Sequence, residues 1–176
     1  MNPNETKIMA STAKLRIIGL LLVVALFVVG LAVIMQTTKP RKASIGASET
    51  TAQTGHQLKV PIEIDTGGLT INAAEVNLRF DNALVEVVRV SKEQSFFTLW
   101  IDDQPQFSNE AGTISFAGGV FSPGFKGKAQ VGAVILRSKR PLTTTLAFAS
   151  GTQVLLNDGK GTAVPLELSP ITVEMP

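Results

Sequence analysis

The stretch from Ile17 to Met35, IIGLLLVVALFVVGLAVIM, runs for 19 residues without a charged side chain. As a helix rising about 1.5 Å per residue it covers roughly 28 Å, close to the hydrocarbon thickness of a bilayer. Hydrocarbon offers the backbone no outside hydrogen-bond partner, so a helix is the expected state and Gly19 and Gly30 are tolerated within it. An all-round apolar helix of this length inside a soluble protein would need a large protein to surround it. A cleaved secretory leader has a shorter apolar region, about 7 to 15 residues, and then a small-x-small cleavage site. Here Gln36-Thr37-Thr38-Lys39-Pro40 follows the run and supplies no such site. The expected organisation is a short cytoplasmic tail over residues 1–16, an uncleaved transmembrane helix over 17–35, a polar linker over 36–43 and one domain over 44–176.

Lys7, Lys14 and Arg16 precede the run and Lys39, Arg41 and Lys42 follow it, so the positive-inside rule nearly cancels. The amino terminus tips the balance toward a cytoplasmic N-terminus. The expected location is the cell membrane, single-pass, with the domain extracellular. The same flanking cations explain the pI near 9.0. Residues 1–43 carry six basic side chains against Glu5 alone, whereas the remainder carries ten basic against thirteen acidic. A mildly acidic domain without a basic stripe repels a phosphate backbone, which argues against a nucleic-acid partner. With no cysteine in the chain, disulfides, thiolate metal sites and cysteine nucleophiles are excluded together.

After residue 43 the apolar residues take up period two. Leu58-Lys59-Val60-Pro61-Ile62-Glu63-Ile64 and Val76-Asn77-Leu78-Arg79-Phe80 alternate as half-buried strands do. Further strand candidates are 84–90, 113–118, 131–137, 143–149, 152–156 and 171–174, short and rich in β-branched residues. Turn signals separate them: Asp65-Thr66-Gly67-Gly68, Asp81-Asn82, Ser122-Pro123-Gly124 and Asn157-Asp158-Gly159-Lys160-Gly161. Many short strands without intervening helices predict an all-β antiparallel sandwich or barrel.

The ordered segments INAAEVNLRFDNALVEVVRV, SFFTLW, GTISFAGG, SPGFKGKAQVGAVILRSK and TLAFASGTQVLLNDGKG closely resemble a cohesin domain, from about Ala43 to Ile171. Phe80-Asp81 leading into Val85-Glu86-Val87-Val88, and later Val131-Gly132-Ala133-Val134-Ile135-Leu136, are the best-matching pieces. The resemblance implies a jelly-roll sandwich of about nine strands that binds a dockerin-like protein through one sheet face. Alternation sets Ala73, Glu75, Asn77 and Arg79 opposite the inward Val76, Leu78 and Phe80, and sets Thr113, Ser115 and Ala117 opposite the inward Ile114 and Phe116. In cohesins these two strands lie on the binding sheet, so the seven outward residues are the expected partner surface. Glu75 falls where many members carry an acidic contact residue, while Ala73 stands where they often carry asparagine. A plain solvated strand face with a weak Glu75–Arg79 ion pair is the competing reading.

Nothing in the sequence builds a catalytic site. His56, the only histidine, sits in an expected turn without a nucleophile signature, and Asp102 and Asp103 are neighbours that would point to opposite sides of an extended chain. With Asn109 or Glu110 they could supply oxygens to calcium; otherwise no cofactor or metal is expected. Carbohydrate binding is the second functional reading, because sandwich modules also bind polysaccharide. It needs exposed planar aromatics, and Trp100, following Phe96, Phe97 and Leu99, is expected to cap the core instead. Self-association of a cell-surface structural subunit through edge strands is the third.

Overall fold

The computed structural model describes residues 41–175 apart from 49, 54–56, 102 and 139, with backbone alone for 51–53. The chain divides into two compact units, Met1–Pro40 and Arg41–Pro176. The expected tail, apolar run and most of the linker lie outside the described residues, as do His56 and Asp102. Among the described residues no helix is long and apolar enough to cross a membrane.

The second unit is built of strands: β1 (Ala43–Ala47), β2 (Thr51–Gln53), β3 (Gln57–Asp65), β4 (Ile71–Arg79), β5 (Glu86–Ser91), β6 (Leu99–Trp100) and β7 (Gln106–Ser108). They are followed by β8 (Thr113–Gly119), β9 (Lys128–Arg137), β10 (Leu142–Phe148), β11 (Gln153–Leu156), β12 (Leu166–Leu168) and β13 (Ile171–Met175). Nine of these have four residues or more, the number the resemblance implies; β2, β6, β7 and β12 are additional pieces of two or three residues. One sheet runs β12-β1-β3-β9-β5 with β2 beside β3. The other runs β13-β10-β4-β8-β6, with β11 also on β4 and β7 also on β8. The two form an all-β sandwich. Its pairs are antiparallel except β1 with β12, where Ala43 lies beside Leu166.

The core lies between the sheets. Val60, Ile62 and Leu136 from the first sheet and Val76, Leu78, Phe116 and Leu146 from the second are all fully buried, as period-two alternation requires. β9 departs from alternation: every residue from Val131 to Leu136 is buried, which is why its sequence is an unbroken apolar run. Ala43 is also fully buried, and its N–H donates to the Pro165 carbonyl, so the first strand begins at the last residue read as linker.

The turns behave as their residue types dictate. Asp65 Oδ1 accepts the Gly67 N–H at 3.0 Å, and the Thr66 hydroxyl, buried, accepts the Gly127 N–H at 3.0 Å. The Gly67 bond, helped by Lys128, holds the Asp65 carboxyl below its usual range. Asp158 is held low chiefly by the Thr162 hydroxyl and then by the Lys160 N–H. β5 begins at Glu86, two residues later than the alternation suggests, because the Leu84 and Val85 amides close a turn on the Asp81 carbonyl.

β5 is an edge strand, and a side chain occupies its free side. Asn109 Oδ1 accepts the Val87 N–H at 2.7 Å while Asn109 Nδ2 donates to the Val87 carbonyl at 2.9 Å. The amide thus imitates one residue of a neighbouring strand and ties the β7–β8 loop of one sheet to the edge of the other. Asn109→Ala leaves both Val87 groups without these partners, and a loss of about 1–3 kcal/mol in stability is expected. Urea unfolding followed through the fluorescence of Trp100 measures it; a midpoint equal to the parent's would mean water replaces the amide without cost.

Candidate protein-binding face

Because β4 and β8 pair in register without a bulge, their outward residues fall directly opposite one another: Ala73 with Gly119, Glu75 with Ala117, Asn77 with Ser115 and Arg79 with Thr113. All seven residues picked from the sequence therefore share one face, in two rows about 4.8 Å apart. Ala73, Glu75, Asn77, Thr113, Ser115 and Ala117 are half-buried, and Arg79 is exposed.

Neighbouring strands widen this face with residues that sequence reasoning did not select. β11 puts Gln153 beside Glu75 and Leu155 beside Ala73, and β10 puts Ala147 beside Arg79. On the far side of β8, Gln106 lies beside Ser115 and Leu99 beside Gly119. The alternation of β11 around buried Val154 was a usable signal for Gln153 and Leu155. The two-residue β6 left none for Leu99.

Glu75 is fixed in place. Its Oε1 accepts from Asn77 Nδ2 and its Oε2 from Gln153 Nε2, both at 3.0 Å. Asn77 is anchored in turn by its own backbone, whose N–H donates to the Thr152 hydroxyl at 3.1 Å. Two amides orient the carboxylate without cancelling its charge. The Glu75–Arg79 ion pair of the competing reading is absent: the ion pairs among the described residues are Lys128–Asp65 and Arg137–Glu86. Four residues along a strand separate the two groups by about 13 Å, too far for direct contact.

Along β4 the face is thus ordered by chemistry. At the Ala73 end Leu99, Ile101 and Phe121 are 51%, 54% and 69% exposed, and with Leu155 they flank a shallow groove of about 380 Å³ floored by Ala73 and Gly119. A fixed carboxylate follows at Glu75 and an exposed guanidinium at Arg79. Trp100 adds no aromatic platform. Half-buried, it points inward, edge-on to Phe97 at 5.2 Å and 6.3 Å from Phe116, with Lys92 Nζ 5.0 Å above its ring. Gly118, beneath it, cannot be larger, since a Cβ would meet the Phe97 ring and lie 2.7 Å from the Leu99 carbonyl.

The calcium reading loses a ligand, because the Asn109 amide is committed to Val87. Among the described residues no group of three or more His, Cys, Asp or Glu side chains is placed to hold a metal ion.

No protein-family model and no curated protein matches the sequence. Solved structures do. The seventh ScaB type I cohesin of Pseudobacteroides cellulosolvens superposes with a TM-score of 0.60 at 18% identity, over 76% of this chain and 91% of that one. A non-cellulosomal cohesin of the archaeon Archaeoglobus fulgidus gives 0.59 at 21% identity, over 76% and 90%. A type I cohesin–dockerin complex of Clostridium thermocellum, containing the OlpC cohesin, gives 0.62 at 14% identity, over 78% and 95%. Those shares of this chain are what a match over the strand-built unit alone would cover, and the two-sheet arrangement is common to them. The unit that begins at Arg41 is a cohesin-like domain in its fold.

Proposed function

We propose that this chain is a non-catalytic, membrane-anchored protein-recognition module, which takes a dockerin-like or other protein partner on the outer face of β4 and β8. The observation that carries the reading is the fixed Glu75 carboxylate, set between an apolar groove and the Arg79 guanidinium on a continuous sheet face. Preorganised charge beside apolar anchors is how protein interfaces combine specificity with affinity. Cohesins of the same fold have been solved with dockerins bound, which makes a dockerin-like partner the first to seek. The apolar run at residues 17–35 supports a cell-membrane anchor, and the amino terminus, which tips the nearly even flanking charge, supports a cytoplasmic N-terminus with the domain outside. The inward packing of Trp100 weighs against a polysaccharide platform.

The test is capture. The full chain in detergent serves as bait for solubilised membranes and culture supernatant, with and without calcium. Recovery of one protein whose binding is lost on calcium removal supports the dockerin-like reading. Recovery of polysaccharide alone, or of further copies of the chain alone, would overturn it in favour of sugar binding or self-association.

A further inference from the structure

At the end of the sandwich where the chain enters, the turns at 65–70, 121–127 and 157–161 meet one another. The Lys42 carbonyl lies against Gly67, a position with φ +59 where any Cβ would strike it. Lys126 Cε approaches the neighbouring Gly68, and Lys128 Nζ lies 3.3 Å from Asp65. The 157–161 turn joins the same end, since Asn157 Nδ2 donates to the Pro123 carbonyl at 2.8 Å. Phe121, on the loop that carries Pro123, is the most exposed large apolar residue among those described.

The charge of this end is opposite to that of the rest. Arg41, Lys42, Lys126, Lys128 and Lys160 are all exposed. The two acids among them are engaged locally, Asp65 by Gly67 and Lys128, and Asp158 by the Lys160 N–H and Thr162. Residues 41–176 hold twelve basic and thirteen acidic side chains, so five cations against two acids here leave seven against eleven elsewhere. An exposed aromatic on an end that also carries exposed cations is the composition that anionic lipid headgroups attract. Chain length points the same way: five residues separate Met35 from Arg41, a reach of at most about 20 Å.

We infer that this end of the domain docks on an anionic lipid surface, with Phe121 entering the headgroup layer and Arg41, Lys42, Lys126 and Lys160 over lipid phosphates. The inference rests on the proposed anchor, which holds this end near the bilayer. Docked so, the domain turns the Glu75–Arg79 stretch of the β4–β8 face sideways, while Phe121 and the 157–161 turn, which border its apolar groove, lie at the lipid.

The chain's lack of cysteine makes the test direct. Ser122→Cys at this end and Ala83→Cys at the opposite end each take one fluorescent label in the full chain. The labelled chains are reconstituted into vesicles of phosphatidylcholine, alone or mixed with phosphatidylglycerol, containing a headgroup-linked quencher. Strong quenching at 122 but not at 83, only with phosphatidylglycerol and lost at high salt, is the expected result. Each cation near such a surface is worth about fivefold in partition, so Lys126→Gln with Lys160→Gln lowers the docked-to-free ratio about 25-fold. Phe121→Ser reduces quenching further. Equal quenching at 122 and 83 in a chain that resists alkaline extraction overturns this inference and leaves the anchor standing. A chain stripped from the vesicles by alkali overturns the anchor, and the inference with it.

Discussion

Phe116→Ala is expected to destabilise the domain by about 3–5 kcal/mol, the range for emptying a buried aromatic site. Phe116 is fully buried on β8, and its ring crosses the space between the sheets toward β9. There it meets Gly132, whose absent side chain makes the room: a Cβ on Gly132 would lie 3.4 Å from Phe116 Cε2. Trp100 packs on the same ring at 6.3 Å. A large residue set against a glycine has no side chain on that partner to move into the vacancy, so the cost belongs toward the upper end of the range. Set against a total stability of about 5–15 kcal/mol for a domain of ordinary size, this single change removes a large fraction. Guanidinium unfolding followed through Trp100 gives the number. Phe116→Leu, which keeps more of the volume, should cost distinctly less. If the alanine variant lost under 1 kcal/mol, the sheets would have to close over the gap, and the rigid packing described for the Trp100–Phe116–Gly132 contact would be wrong.

Reversing both charges of the face, Glu75→Lys with Arg79→Glu, is expected to abolish capture of the partner while leaving the fold intact. The Glu75 carboxylate is held by Asn77 and Gln153, so a partner cation meets an acceptor already oriented and needs little further ordering. Disrupting a desolvated charge pair in an interface costs about 2–5 kcal/mol, a loss of roughly thirtyfold or more in affinity. Stability should change little, because both side chains lie on the outer face, although Asn77 and Gln153 each lose an acceptor. Glu86→Arg with Arg137→Glu, which swaps an exposed pair on the other sheet, is the matched control and should bind as the parent does. Unchanged affinity in the Glu75/Arg79 double variant would place recognition elsewhere on the molecule.

Much of this face was legible before any coordinates, and the reason is geometric. β3, β4, β8 and β10 lie within sheets that are buried on one side, so their sequences alternate and the alternation names the outward residues directly. Edge pieces such as β6, β7 and β12 are too short to show a period, and their pairing is set by the strand they lie against. Leu99 and Gln106 joined the face only through that pairing. The hold on Glu75 was hidden for a related cause. Gln153 is 78 residues away, and only the β4–β11 register brings its amide to the carboxylate. Read along the strand alone, Glu75 had Arg79 as its natural partner, and the rise per residue is what keeps them apart.

The Asn109 clamp bears on how such domains behave when crowded. An open strand edge is a template on which a second copy can continue the sheet, and molecules held at high local concentration meet such templates constantly. By offering Val87 an amide from its own chain, the domain fills one pair of the hydrogen-bonding positions that an intruding strand would need along β5. Crowding then favours contacts through side-chain surfaces, which can be selective, over backbone pairing, which cannot.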